Sequence, residues 1–276
     1  MNKQDKANRT ILLTVAYDGT DYAGWQIQKE KSTVQLSLEK SLYEILQENI
    51  KTTCAGRTDS GVHALGNRVH FKTISKIKTG NLLKALNSLL PRDIRVIRVE
   101  DKPDTFHARY EAVRRWYRYY IYNSRISMPF LDRYSFFYPY PIDIGHVKRS
   151  LKFLVGEHDF TSFCSKKDEN KVKIRKIFYI SLKKTGKLYY FDIVGSGFLH
   201  NMIRIIVGTA LAINKNKEKP DKMKEILFAK NRMESGMTVP PNGLFLMKVT
   251  YKEELTWLDK IMPARGCHPF LFSHLS

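Results

Sequence analysis

The apolar residues of the first hundred positions switch period, and that switch limits what the chain can become. Thr10–Thr20, TILLTVAYDGT, is a β-type run that closes on an Asp-Gly turn signal. From Ser32 to Asn49 the spacing becomes helical, with Val34, Leu38, Leu42, Ile45 and Leu46 on one stripe. Ser32 is placed to cap this helix, with Gln35 answering three residues on. Lys51–Phe71 reads as a strand, a tight loop and a second strand that runs on through NRVHFKT. Gly80–Leu90 is a short helix stopped by Pro91, and Asp93–Val99 is a further strand. Strand, helix, strand, strand, helix, strand is the pattern of an α+β layer with helices packed on a sheet.

The second half follows a similar outline. His107–Asn123 is a long strand pair or bent strand, rich in arginine and aromatic residues, and 124–144 is an irregular surface connection holding Pro129, Pro139 and Pro141. Ile144–Val155 is helical, EHDFTSFCS is a loop, and strands follow near Ile174–Lys183 and Leu188–Val194. Phe198–Ile213 is an apolar helix, Pro220–Ala229 a shorter one, and Gly243–Tyr251 a closing strand. The expected fold is α+β, with two similar α/β halves whose antiparallel or mixed sheets join into one central sheet and whose helices pack outside. The expected divisions are a loose arm at 1–9, a first half at 10–104, a second half at 105–252 and an extension at 253–276.

Lys and Arg number 47 against 27 Asp and Glu, a net charge of +20 over 276 residues. Such an excess favours a polyanionic partner, because each neutralised phosphate releases counterions. No apolar run is long enough to span a bilayer, and the first residues lack the apolar centre of a signal peptide, so nucleic acid is preferred to a membrane surface. Cys54, Cys164 and Cys267 are odd in number and widely spaced, as expected of reduced thiols in a cytoplasmic protein. The eight histidines show no ligand spacing, so no metal is expected.

Within Lys51–Phe71 lies GRTDSG. A lone Thr-Asp-Ser-Gly is usually a turn. Here Arg57 stands two residues before Asp59, and Gly56 and Gly61 flank the pair without side-chain bulk, so a ligand can approach the backbone. A carboxylate of ordinary pKa, about 3.9, is ionised at neutral pH, and a nearby guanidinium keeps it so. Such an aspartate can act as a nucleophile.

These residues resemble the tRNA pseudouridine synthase A family. The resemblance rests on AYDGTDYAGWQIQ and CAGRTDSGVHALGNRVHF, and continues through FHARYEAVRRWYRYYIYN, VGEHDFTSF, GSGFLHNMIRIIVG and GLFLMKVTY, in register from about Leu12 to Tyr251. It implies an enzyme that isomerises uridine to pseudouridine in the anticodon stem-loop of tRNA, at positions 38 to 40, works as a homodimer in the cytoplasm and holds RNA in a cleft between the halves. Nothing is added or lost in that isomerisation, so no cofactor is expected. A flipped-out uridine is also implied, because stacking shields the glycosidic bond.

By the same resemblance Asp59 is the catalytic aspartate. Attack on the sugar, attack on the uracil ring and abstraction of a sugar proton all remain open to it. Arg57 corresponds to the arginine that helps hold the displaced nucleotide, and Tyr117 to the tyrosine that stacks on the target base. Arg204 corresponds to the basic residue that pairs with the aspartate, and Leu244 to the apolar lining of the uracil pocket. Asn67 stands where glutamine is expected and Ser60 where alanine is common. Alternation over Val113–Asn123 puts Arg115, Tyr117 and Tyr119 on one face and Arg114, Trp116, Arg118 and Tyr120 on the other. Arginine among aromatics suits bases and phosphates, and it equally suits an aromatic sheet core. Lys166, Lys167, Lys171, Lys173, Arg175 and Lys176 form a basic run of the kind that can grip phosphates and is more often a solvated face.

Two other readings compete. One is an RNA uridine methyltransferase with Cys54 as nucleophile and the Gly-Ser-Gly of Val194–Phe198 holding the methyl donor; that fingerprint lacks its third glycine. The other is a non-catalytic RNA-binding module.

Overall fold

The computed structural model describes residues 9–165, 168 and 171–255. Residues 1–8 of the expected arm, the tail Pro263–Ser276 with Cys267, Phe270, Leu271 and Phe272, and the lysines at 166 and 167 lie outside these residues, while Arg9, expected in the arm, opens the first strand. The chain divides into two compact units. The first runs to Val113 and takes Leu246–Lys252 from the far end of the chain; the second covers Arg114–Phe245 and continues from Glu253.

In the first unit β1 (Arg9–Tyr17) pairs antiparallel with β3 (His63–Thr73) on one side and β4 (Ile94–Lys102) on the other. β2 (Thr53–Cys54) adds to β3 in the register Thr53↔His70 and Cys54↔Val69. α1 (Val34–Leu46) buries Val34, Leu38 and Leu42 of the expected stripe completely, and leaves Ile45 and Leu46 half-buried. Each such side chain contributes about 1.5–3 kcal/mol relative to exposure. The cap is Thr33, one residue later than expected, because Thr33 is the last extended residue and its hydroxyl accepts from the Leu36 amide. Gln35 does not close a capping box. Its side chain accepts from the Ile27 amide and donates to Glu39 and to the Thr52 carbonyl. α2 (Thr79–Leu89) packs beside β4.

The second unit is built on β5 (Ala112–Tyr122), β9 (Leu188–Gly195), β8 (Ile174–Thr185) and β7 (Gly156–Asp159) in that order. Short β6 (Phe136–Phe137) runs parallel to β5, after α3 (Pro129–Asp132). α4 (Ile144–Leu151) is capped by the Asp143 carboxylate on the His146 amide. EHD, expected as loop, is strand β7, with Glu157 opposite Lys176 and Asp159 opposite Ile174. A four-residue edge strand shows no alternation to read, and its charged residues suit an unpaired edge. The Phe198 helix begins later than expected: Asn201 is left-handed at φ 61°, and α5 is Met202–Lys215, with ten of its fourteen residues buried. α6 (Lys222–Ala229) follows.

β10 (Leu244–Tyr251) is the final strand among the described residues. The full order is β4-β1-β3-β10-β5-β9-β8-β7, with β2 on β3 and β6 on β5. This is the mixed α+β architecture expected from the sequence.

Candidate active site

Asp59 lies in the turn between β2 and β3, half-buried, between buried Thr58 and exposed Ser60. The turn is held mainly by a distant segment, the loop Asp18–Trp25 that leaves β1. The Trp25 amide donates to the Thr58 carbonyl at 3.0 Å, and the Tyr22 carbonyl accepts from the Gly61 amide at 3.3 Å and the Ser60 hydroxyl at 3.2 Å. Tyr22 is fixed in turn by its hydroxyl on Asp93 at 2.8 Å, and Trp25 is 2% exposed. Gly24 sits at φ 95°, and a Cβ there would come within 2.7 Å of the Thr58 carbonyl. Only glycine allows the two loops to approach this closely. Gly61, at φ 75°, likewise holds its place through backbone conformation.

Beneath the loop runs a buried hydrogen-bond chain. The Asn67 side-chain amide, on β3, donates to the Gly56 carbonyl at 2.9 Å and to the Tyr17 hydroxyl at 3.3 Å. Tyr17 and Thr58 hydroxyls are 2.8 Å apart and share a hydrogen bond, so the chain continues from Asn67 through Tyr17 to Thr58. The backbone is therefore held immediately before Arg57 and immediately after it, while the Arg57 side chain is exposed. Asn67 is 0% exposed and its Oδ1 lacks a hydrogen-bond partner among the described residues. Asn67, one of the two residues at which the sequence departs from the resembled pattern, is thus a strut of this loop.

Cys54 lies in β2, buried, and desolvation pushes its thiol pKa up to about 12 despite the charges of Arg57 and Arg109. A thiol so protected supplies almost no thiolate at neutral pH, which counts against a cysteine nucleophile.

The remaining candidates belong to the second unit. Tyr117, on β5 opposite Ile193, is 8% exposed and meets the Phe198 ring edge-on at 5.3 Å. Phe198 also explains Gly195, where a Cβ would approach that ring to 2.9 Å and the Lys176 carbonyl to 3.0 Å. Gly195 is accordingly a packing solution for Phe198. Arg204, in the first turn of α5, is half-buried; its Nε donates to the Val239 carbonyl at 2.7 Å and its Nη1 to Asn201 Oδ1 at 2.8 Å. Leu244 opens β10 and is 5% exposed. It follows Gly243, where a Cβ would meet the Tyr120 carbonyl at 2.5 Å.

On the other face of β5, Trp116, Arg118 and Tyr120 are buried as well. Arg118, 4% exposed, makes a two-pronged ion pair with Asp192 at 2.7 and 3.0 Å, and Trp116 donates its indole N–H to the same carboxylate at 2.8 Å. The guanidinium lies 4.4 Å from the Tyr190 ring centre, 5.2 Å from Trp116 and 5.8 Å from Tyr120. Burial disfavours this cation, but the hydrogen bonds and charge of Asp192 outweigh it and raise its pKa. For Trp116, Arg118 and Tyr120 the packing alternative prevails over RNA contact. In the basic run, Lys173 is tied to buried Asp168 at 3.0 Å, and that carboxylate also accepts from the His200 amide at 2.6 Å. Lys171 and Lys176 are exposed.

Inspection of the sequence did not single out Tyr17, Tyr22 or Asn67 as supports of the loop, nor Phe198 as the neighbour of Tyr117. Their signal is the joint presence of YDGTDYAGW and GRTDSG, which periodicity cannot detect.

Comparison with known proteins agrees with these features. The sequence profile described as tRNA pseudouridine synthase matches residues 13–111 and 151–252. A "tRNA pseudouridine synthase A" of a Thermoanaerobacter species is 41% identical over 243 residues, which is 88% of this chain and 100% of that one. A "tRNA pseudouridine synthase A 1" of Bacillus cereus is 43% identical over 242 residues, covering 87% of this chain and 98% of its own. A "tRNA pseudouridine synthase A" of Caldicellulosiruptor bescii is 42% identical, covering 88% and 100%. The span and level of identity include both the loop around Asp59 and the segment that holds it: this chain belongs to the tRNA pseudouridine synthase family.

Proposed function

We infer that this protein isomerises uridine to pseudouridine in the anticodon stem-loop of tRNA, at positions 38 to 40, with Asp59 as the catalytic carboxylate. Family membership makes it an isomerase acting on tRNA. The observation that carries the rest is the loop Gly56–Gly61, whose backbone is fixed on both sides of Arg57 by Asn67, Tyr17 and Trp25 while Arg57 itself stays exposed. Fixed placement of a reactive group contributes to rate by reducing the orientational entropy lost at the transition state.

The reaction breaks the bond from ribose C1′ to uracil N1, turns the base, and forms a bond from C1′ to C5; the C5 proton leaves and N1 gains one. Asp59 supplies the carboxylate. Arg57 helps hold the displaced nucleotide, Tyr117 stacks on the target base, Arg204 opposes the aspartate charge, and Leu244 lines the uracil pocket. The burial of Tyr117 and Leu244 suits an apolar base site, and the two hydrogen bonds on Arg204 hold its guanidinium in one orientation. The protein works in the cytoplasm as a homodimer; among the described residues no helix is long and apolar enough to cross a membrane.

The test uses tRNA carrying tritium at C5 of uridine. Wild type releases tritium and leaves nucleotide mass unchanged, whereas Asp59→Ala releases none above background. Absence of release from wild type with any tRNA would remove this reading, and wild-type release from Asp59→Ala would remove the assignment of Asp59. A rise in nucleotide mass would point instead to methylation.

A further inference from the structure

We propose that the turn Phe106–Glu111, in the first unit, is an RNA-stacking platform on which Tyr110 receives an unpaired nucleobase beside the Asp59 loop. Tyr110 is 77% exposed, an unusual state for an aromatic ring of a globular protein. It is not loosely placed. Its ring is stacked on His107 with centroids 4.1 Å apart and planes at 23°, and His107 rests on His70 at 4.8 Å.

The column is built from the backbone upward. His107 Nδ1 accepts from the Arg109 and Tyr110 amides at 3.2 and 3.3 Å, which fixes the ring against its own turn. His70 Nδ1 accepts from the Ala108 amide at 3.2 Å, and its other edge is bonded to the backbone of Thr53 in β2. The Tyr251 hydroxyl donates to the Ala108 carbonyl at 3.1 Å. Three elements thus brace a turn whose outermost group is one open aromatic face. Bracing of this kind lowers the entropy lost when a base stacks on that face.

Charge identifies the occupant. Arg109 is exposed next to Tyr110, and both Arg109 and Arg57 act electrostatically on the Cys54 thiol. Both positive charges are thus felt at β2, the strand that leads into the Asp59 loop, and His70 links that strand to the platform. An aromatic face with arginines alongside, in a chain of net charge +20, fits a single-stranded base and its phosphates. Stacking tolerates any base, so the platform grips RNA without reading sequence.

The proposal rests on the functional reading above, and the experiment separates the two. Affinity of the full-length protein for a fluorescently labelled tRNA transcript is measured between about 50 and about 200 mM salt. Tyr110→Ala is expected to weaken binding roughly 5- to 100-fold, with the slope of log affinity against log salt unchanged, while Tyr110→Phe and Tyr110→Trp stay within about twofold of wild type. Arg109→Gln is expected to flatten that slope by about 0.9. Unfolding midpoints and sedimentation are measured in parallel. Wild-type affinity in Tyr110→Ala overturns the proposal, as does a loss matched by a changed oligomeric state or by Tyr110→Phe. If wild type releases no tritium yet Tyr110→Ala binds weakly, the reading of the active site fails and the platform stands. If wild type is active and Tyr110→Ala binds normally, the platform fails alone.

Discussion

Asn67 donates to the Asp59 loop at Gly56 and to Tyr17 on β1 through a single amide nitrogen, so isosteric replacement is informative. Asn67→Asp turns the donor to the Gly56 carbonyl into a buried acceptor facing an acceptor. It should cost about 1–3 kcal/mol of stability and reduce turnover more than tRNA affinity. Tyr17→Phe removes the link to Thr58 and should cost about 1 kcal/mol with a milder loss of turnover. Urea unfolding and a comparison of kcat with Kd for both variants check these expectations. His70 gives a pH dependence. Burial, and then the neighbouring His107, lower its pKa from the usual 6.5. The folded protein keeps this ring neutral while the unfolded chain takes up a proton. Stability is therefore whole above pH of about 6.5 and falls as pH drops below it, levelling off under the folded pKa. The decline in urea midpoint between about pH 7.5 and about pH 5.5 should be smaller in His70→Asn than in wild type.

Among the elements, β5 shows how far sequence patterning reaches. Its alternation is readable, and so is the candidate status of Tyr117. That both faces are buried from Trp116 to Tyr122 is not, because both carry polar groups and the partner that satisfies Arg118, Asp192, arrives on β9 from 74 positions away. The same holds for the Asp59 loop, whose sequence announces a turn but not the struts brought from Tyr17, Trp25 and Asn67. α1 was legible because a helix carries its own period, whereas β7 was missed because four edge residues have none. The Arg118–Asp192 pair carries a definite expectation. Arg118→Met leaves a buried carboxylate without its cation and should destabilise the protein by about 3–5 kcal/mol, whereas Arg118→Met with Asp192→Leu should recover most of that loss. Denaturant unfolding of the two single variants and the double variant measures the coupling.

At the scale of the whole molecule, the division of the chain has a consequence for its synthesis. Leu246–Lys252 belongs to the first unit, although more than 130 positions separate it from the Val113 boundary. Gly66 on β3 lies so near the Met247 carbonyl that a Cβ would approach it to 2.8 Å. A nascent chain therefore carries the Asp59 loop out of the ribosome long before the strand that completes its unit has been translated. The first unit cannot finish folding until the second has been made, and a premature stop before Leu246 disables a loop encoded nearly two hundred codons upstream. The order of synthesis makes β10 the step that commits the nascent chain to a finished enzyme.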